Sequence, residues 1–100
     1  MKFLEIIVLR ANFDWRESRA QDQWEALKDS LGKIDDVEIS LFRDVQIETD
    51  ISIHLSWEKV MEKPKKSELG LRLANSLKEF GLVYHCIWAE ELIARPGSLI

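Results

Sequence analysis

Cysteine is almost absent from this chain: Cys86 stands alone in 100 residues, so no disulfide can form within it. That absence fits a reducing compartment, and the cytoplasm is the expected location. Long apolar runs are missing as well. No stretch approaches the roughly 20 apolar residues that a membrane-spanning helix needs. In the opening Met1 to Arg10 the apolar run is short, Glu5 interrupts it, and no small-residue cleavage site follows, so it reads as a strand rather than a signal peptide. Positive charge is in deficit, with 14 Lys and Arg against 18 Asp and Glu and a net charge of −4. Such a balance offers no general attraction for phosphate backbones or anionic membranes, which excludes nucleic acid and membrane as expected partners. Glycine and proline are sparse, at 4 and 2 residues, and there is no repeat, low-complexity segment or internal linker. One domain is expected over residues 1–92, followed by a tail over 93–100 that carries Pro96 and Gly97.

What the chain does have is alternation. From Asp50 to Trp57 the apolar Ile51, Ile53, Leu55 and Trp57 interleave with Ser52, His54 and Ser56. Successive strand side chains point to opposite faces, so this run is a strand with one face in a core and one face outside it. Val37, Ile39 and Leu41 alternate with Glu38, Ser40 and Phe42, a second strand that pairs with the first as an antiparallel hairpin. Phe3 to Leu9 is short, rich in Ile and apolar on both faces, hence a buried strand. Leu82 to Ala89 is a fourth strand, in which Val83, His85 and Ile87 compete with Tyr84, Cys86 and Trp88 for the core. The reading adopted for it turns His85 outward.

Helical spacing fills the gaps between strands. Asp14 and Glu17 form a capping pair ahead of Ala20, Trp24, Leu27 and Leu31, and Gly32 follows, which predicts a helix over about residues 15 to 31. Trp24 belongs to its core stripe, and Trp15 covers the sheet edge. A charged connection from Lys59 to Lys66, containing Pro64, leads to a second stripe of Leu69, Leu73, Leu77 and Phe80 that Gly81 closes. Gly70 and Ala74 beside that stripe would let the helix backbone lie close to the sheet.

The order βαββαβ predicts an α+β, ferredoxin-like domain with a four-stranded antiparallel sheet in order 4-1-3-2 and both helices on one face. The other face is left bare. With Leu4, Ile6 and Val8 taken as helix-facing, strand one contributes Phe3, Glu5, Ile7 and Leu9 to that bare face, and Glu5 falls between His54 and His85. Two imidazoles and a carboxylate suit general acid–base chemistry, so Glu5, His54 and His85 are the candidate catalytic residues. Phe42, Ser52, Ser56, Trp57 and Trp88 are the candidate substrate contacts, the indoles as platforms for a flat ligand. No metal-ligand spacing is present and no cofactor is expected. A lone cysteine inside a strand is more often a small buried apolar residue than a nucleophile, so Cys86 is assigned to the core. Phe3, Ile7 and Leu9 would leave an apolar patch exposed on a monomer, which predicts a homodimer closed through the bare faces.

With Arg43 closing strand two, Trp57-Glu58 closing strand three and Trp88 late in strand four, residues 1 to 92 resemble the dimeric α+β barrel proteins typified by antibiotic-biosynthesis-monooxygenase-like domains. The resemblance implies two sheets packed bare face to bare face, with a pocket in each subunit. It also implies a small aromatic or apolar ligand and cofactor-independent oxidation or isomerisation, or else a non-catalytic regulatory or structural module. One departure stands at the start of the second helix. Pro64-Lys65-Lys66-Ser67 has no histidine where such enzymes often carry one.

Overall fold

The computed structural model describes residues 2–11, 22, 25, 26, 29, 36–58 and 64–91. Strands β1 (Phe3–Ala11), β2 (Val37–Arg43), β3 (Asp50–Trp57) and β4 (Gly81–Ala89) form one antiparallel sheet in order β2-β3-β1-β4, which is 4-1-3-2 read from the other edge. The helix Glu68–Leu77 and the 3-10 turn Lys78–Phe80 lead into β4, and the helix packs on one face of the sheet. The chain is thus α+β. Asp22, Glu25, Ala26 and Asp29 are helical and exposed. The rest of the expected first helix, with Asp14, Trp15, Glu17 and Trp24, lies outside the described residues. So do Lys59, Lys63 and the expected tail 93–100. Among the described residues no helix is long and apolar enough to cross a membrane.

Short-range chemistry sets the element boundaries. Asp44 turns β2 back into β3: its Oδ1 accepts from the backbone N–H groups of Gln46 and Ile47 at 2.8 and 2.9 Å. This is a side-chain-stabilised turn. Those two donors hold the Asp44 carboxyl below its ordinary value. At the other end of the hairpin Asp36 takes a left-handed φ of 71°, which Asp tolerates, and its carbonyl accepts from Glu58 N at 2.9 Å. Ser67 caps the helix, with extended backbone and an Oγ that accepts from Gly70 N at 2.9 Å. Gly81 opens β4 where a Cβ would overlap the Arg10 carbonyl oxygen and lie 2.9 Å from Ala11 Cα. Only glycine lets the strands meet that closely there.

Directly opposed residues of an antiparallel pair share a face, so register decides what is buried. Ile7 lies opposite Ile53, Leu9 opposite Ile51 and Glu5 opposite Leu55. The core accordingly joins Ile7, Leu9 and Ala11 with Ile51, Ile53 and Leu55, beneath Leu69, Leu73, Ala74 and Leu77 of the helix. β3 follows its alternation, with Ser52, His54 and Ser56 on the open face opposite Phe42, Ser40 and Glu38 of β2. Val37 and Ile39 of β2 pack against the core as expected, but Leu41 is 37% exposed.

β1 has the opposite phase to the one expected. Phe3, Glu5, Ile7 and Leu9 are buried on the covered face, and Leu4, Ile6 and Val8 stand half-buried on the open one. β4 is reversed with it. His85 lies opposite Ile7 and Val83 opposite Leu9, while Tyr84, Cys86 and Trp88 project from the open face and are exposed. Phe3, Ile7 and Leu9 therefore make no surface patch, and Cys86 is not a core residue. The reason is physical: both faces of β1 are apolar, so its own pattern holds no preference, and pairing with the strongly amphipathic β3 selects the phase.

Candidate functional site

Glu5 is the buried ionisable residue around which the site is built. It is 0% exposed, and its carboxylate lies at the N-terminal end of the helix Glu68–Leu77. One oxygen, Oε1, accepts from Trp57 Nε1 at 2.9 Å and from Ser67 N at 3.2 Å. The other, Oε2, lies 2.7 Å from His85 Nε2. A buried carboxylate is tolerated when its lone pairs are occupied, and the positive end of a helix dipole adds to that. Each element supplies one part: β1 the carboxylate, β3 the indole, the residue capping the helix an N–H, and β4 the imidazole.

Gly70 makes the room. A Cβ on it would overlap Glu5 Oε2 and stand 2.9 Å from His85 Nε2. The first turn of the helix therefore lies directly over the pair. Glycine inside a helix costs about 1 kcal/mol relative to alanine, and here the close approach explains its presence.

His85 links the buried carboxylate to solvent. Its side chain is 7% exposed, and it lines a groove between the helix and the edge strand β4, together with Leu71, Ala74 and Val83 on the apolar side and Lys66, Arg72 and Lys78 on the charged side. Nε2 is engaged by Glu5, whereas Nδ1 has no partner among the described residues. No fully buried side-chain nitrogen or oxygen among them lacks a partner, so Nδ1 is not fully buried, and His85 is one of the residues that line the groove. When Glu5 is ionised its oxygens only accept, so Nε2 then carries the hydrogen of this contact and in the neutral ring Nδ1 is a lone-pair acceptor. A carboxylate behind and a free acceptor in front form the arrangement of a positioned general base.

The expected catalytic set is therefore divided by the sheet. Glu5 and His85 meet on the covered face, and His54 is on the open face, opposite Ile6 and Ser40. His54 Nε2 contacts Ser52 Oγ at 2.5 Å and its ring centroid lies 4.5 Å from that of Phe42. Partial burial pushes the His54 imidazole below its ordinary value of 6.5. The expected substrate contacts are divided too. Ser56, Trp57 and Trp88 border a cleft at the Phe3 end of the sheet, and Phe42 and Ser52 border another beside Arg10 and Asp50. Trp57 stacks on Phe3 at 5.7 Å between centroids. Its indole N–H is engaged by Glu5. Among the described residues no group of at least three His, Cys, Asp or Glu side chains is placed to hold a metal ion.

Ser67, Gly70 and Lys66 were absent from the residues singled out as functional. Gly70 carried a signal, a glycine within a helical stripe, and Trp57 carried another, since an indole N–H in a largely buried position needs an acceptor. Searches of family models, of curated proteins and of solved structures return no match to this chain.

Proposed function

We propose that this chain is a small-molecule-binding protein of the ferredoxin-like βαββαβ kind, in which His85, held by Glu5, exchanges a proton with a ligand seated in the groove beside the helix. A single observation carries the reading: a fully buried carboxylate bonded to an imidazole that lines a groove and whose second nitrogen has no partner among the described residues. Perturbed or unusually buried ionisable pairs beside clefts mark functional sites more often than they occur by chance. The helical residues between β1 and β2, together with the strand order, support the two-helix ferredoxin-like arrangement. A base that removes a proton from a phenol or an enolisable carbon is what both cofactor-free oxidation and isomerisation require. Those are the activities implied by the resemblance to the dimeric α+β barrel proteins. In this reading the protein acts as a homodimer joined through its open sheet faces.

The test is a thermal-shift screen of small aromatic and aliphatic compounds on three proteins: wild type, His85→Gln and His54→Ala. A ligand that binds the native state raises its apparent stability. The expected result is a compound that stabilises wild type and His54→Ala but not His85→Gln. Stabilisation that survives His85→Gln and disappears in His54→Ala would move the site to the open face. That outcome would favour the second reading, a non-catalytic regulatory or structural module, which the exposed Phe42, Leu82, Tyr84 and Trp88 support.

A further inference from the structure

We infer that the groove beside His85 takes an organic acid: an apolar or aromatic body along the helix, and one carboxylate or phosphate group held at the Lys66 end. The inference rests on the reading of His85 as the ligand-facing group and adds the chemical class of that ligand.

The charges in the groove carry it. In a chain of net charge −4, the lining holds Lys66, Arg72 and Lys78 against Glu68 alone. Arg72 is partly spent, since its Nη2 lies 3.1 Å from Glu68 Oε1 one helical turn away. Lys66 and Lys78 are in no ion pair with any described residue. A concave surface with two ammonium groups that no described residue pairs, on a chain of net charge −4, concentrates small anions.

Geometry chooses between the two lysines. They flank the ten-residue helix Glu68–Leu77, which is about 15 Å long at 1.5 Å per residue, so one anionic group cannot reach both. His85 lies against Gly70 in the first turn, which is the Lys66 end. An anion held by Lys66, with Arg72 beside it, leaves the body of the ligand on Leu71, Ala74 and Val83 and brings the part of that body next to the anion beside His85. Such a site combines an apolar lining with a few polar groups that fix orientation. A neutral ligand of the same shape would leave the lysine without a partner.

The experiment uses benzoate, phenyl phosphate and the neutral benzamide, titrated into the full chain. Binding is followed by the imidazole NMR signals of His85, assigned by their loss in His85→Gln. Benzoate and phenyl phosphate are expected to move these signals, with benzamide binding about tenfold more weakly or not at all. Lys66→Ala should weaken both anions about tenfold, and Lys78→Ala, an equal change of charge at the far end, by less than about twofold. Equal affinity for benzoate and benzamide, or equal effects of the two lysine variants, would overturn the acid inference and leave His85 as the ligand-facing group. No response of His85 to any of the three probes would overturn the acid inference too. The thermal-shift screen on His85→Gln would then decide separately whether His85 faces a different ligand.

Discussion

At the scale of single residues, the site depends on what Gly70 lacks. Alanine is the better helix former by about 1 kcal/mol, so Gly70→Ala on an exposed helix face would stabilise the protein. Here the added methyl would collide with the buried Glu5 carboxylate and with the His85 imidazole bonded to it. The expected outcome is a loss of about 1 to 3 kcal/mol, read from the midpoint of urea denaturation. A midpoint equal to or above wild type would show that the helix does not press on the pair. His54 makes a prediction about pH. Burial lowers its folded-state value beneath 6.5, so below 6.5 the unfolded chain binds more protons than the folded one. Stability therefore rises with pH between the folded and unfolded values, is full above 6.5 and is lost on acidification through that window. His54→Gln should flatten the part of the curve that falls on acidification below pH 6.5, and parallel curves for the two proteins would contradict it. The partners of Glu5 were less legible than its identity. A lone glutamate in an apolar strand was visible from the sequence, but which imidazole it meets depends on strand phase.

At the scale of elements, the helix Glu68–Leu77 was the easiest to read and β1 the hardest. The spacing of Leu69, Leu73 and Leu77 places them on one face, and all are buried in the core. Leu73 is 0% exposed at the centre of that stripe, so Leu73→Ala should cost about 2 to 5 kcal/mol. An unchanged denaturation midpoint would mean that the helix is only loosely docked. The β2–β3 hairpin was equally readable, because strict alternation leaves a single way to bury Ile51, Ile53 and Leu55. β1 and β4 are apolar or aromatic at both parities, and such strands carry no local preference for a face. Their buried sets came out opposite to the expected ones, and this moved His85 under the helix and Cys86 to the surface.

At the scale of the whole molecule, the open face of the sheet differs in composition from the expected one. Leu4, Ile6 and Val8 lie beside Trp88, Cys86 and Tyr84 on it, in place of Phe3, Ile7 and Leu9. Leu82, Tyr84 and Trp88 are 65%, 55% and 61% exposed, a patch that soluble proteins usually cover. Multi-angle light scattering of the wild type should give the mass of a dimer, and Tyr84→Asp at the middle of the patch should give a monomer. A wild-type monomer at micromolar concentration would refute the dimer. By itself the sequence determined the α+β class, the hairpin with its buried and open faces, the buried stripe of the Glu68 helix and the presence of Glu5, His54 and His85 on three strands. Tertiary structure alone decided which of those residues meet. Antiparallel partners share a face, so the docking of β1 on β3 and of β4 on β1 set the phase of two strands whose own patterns were neutral, and that phase placed Glu5 against His85 and away from His54.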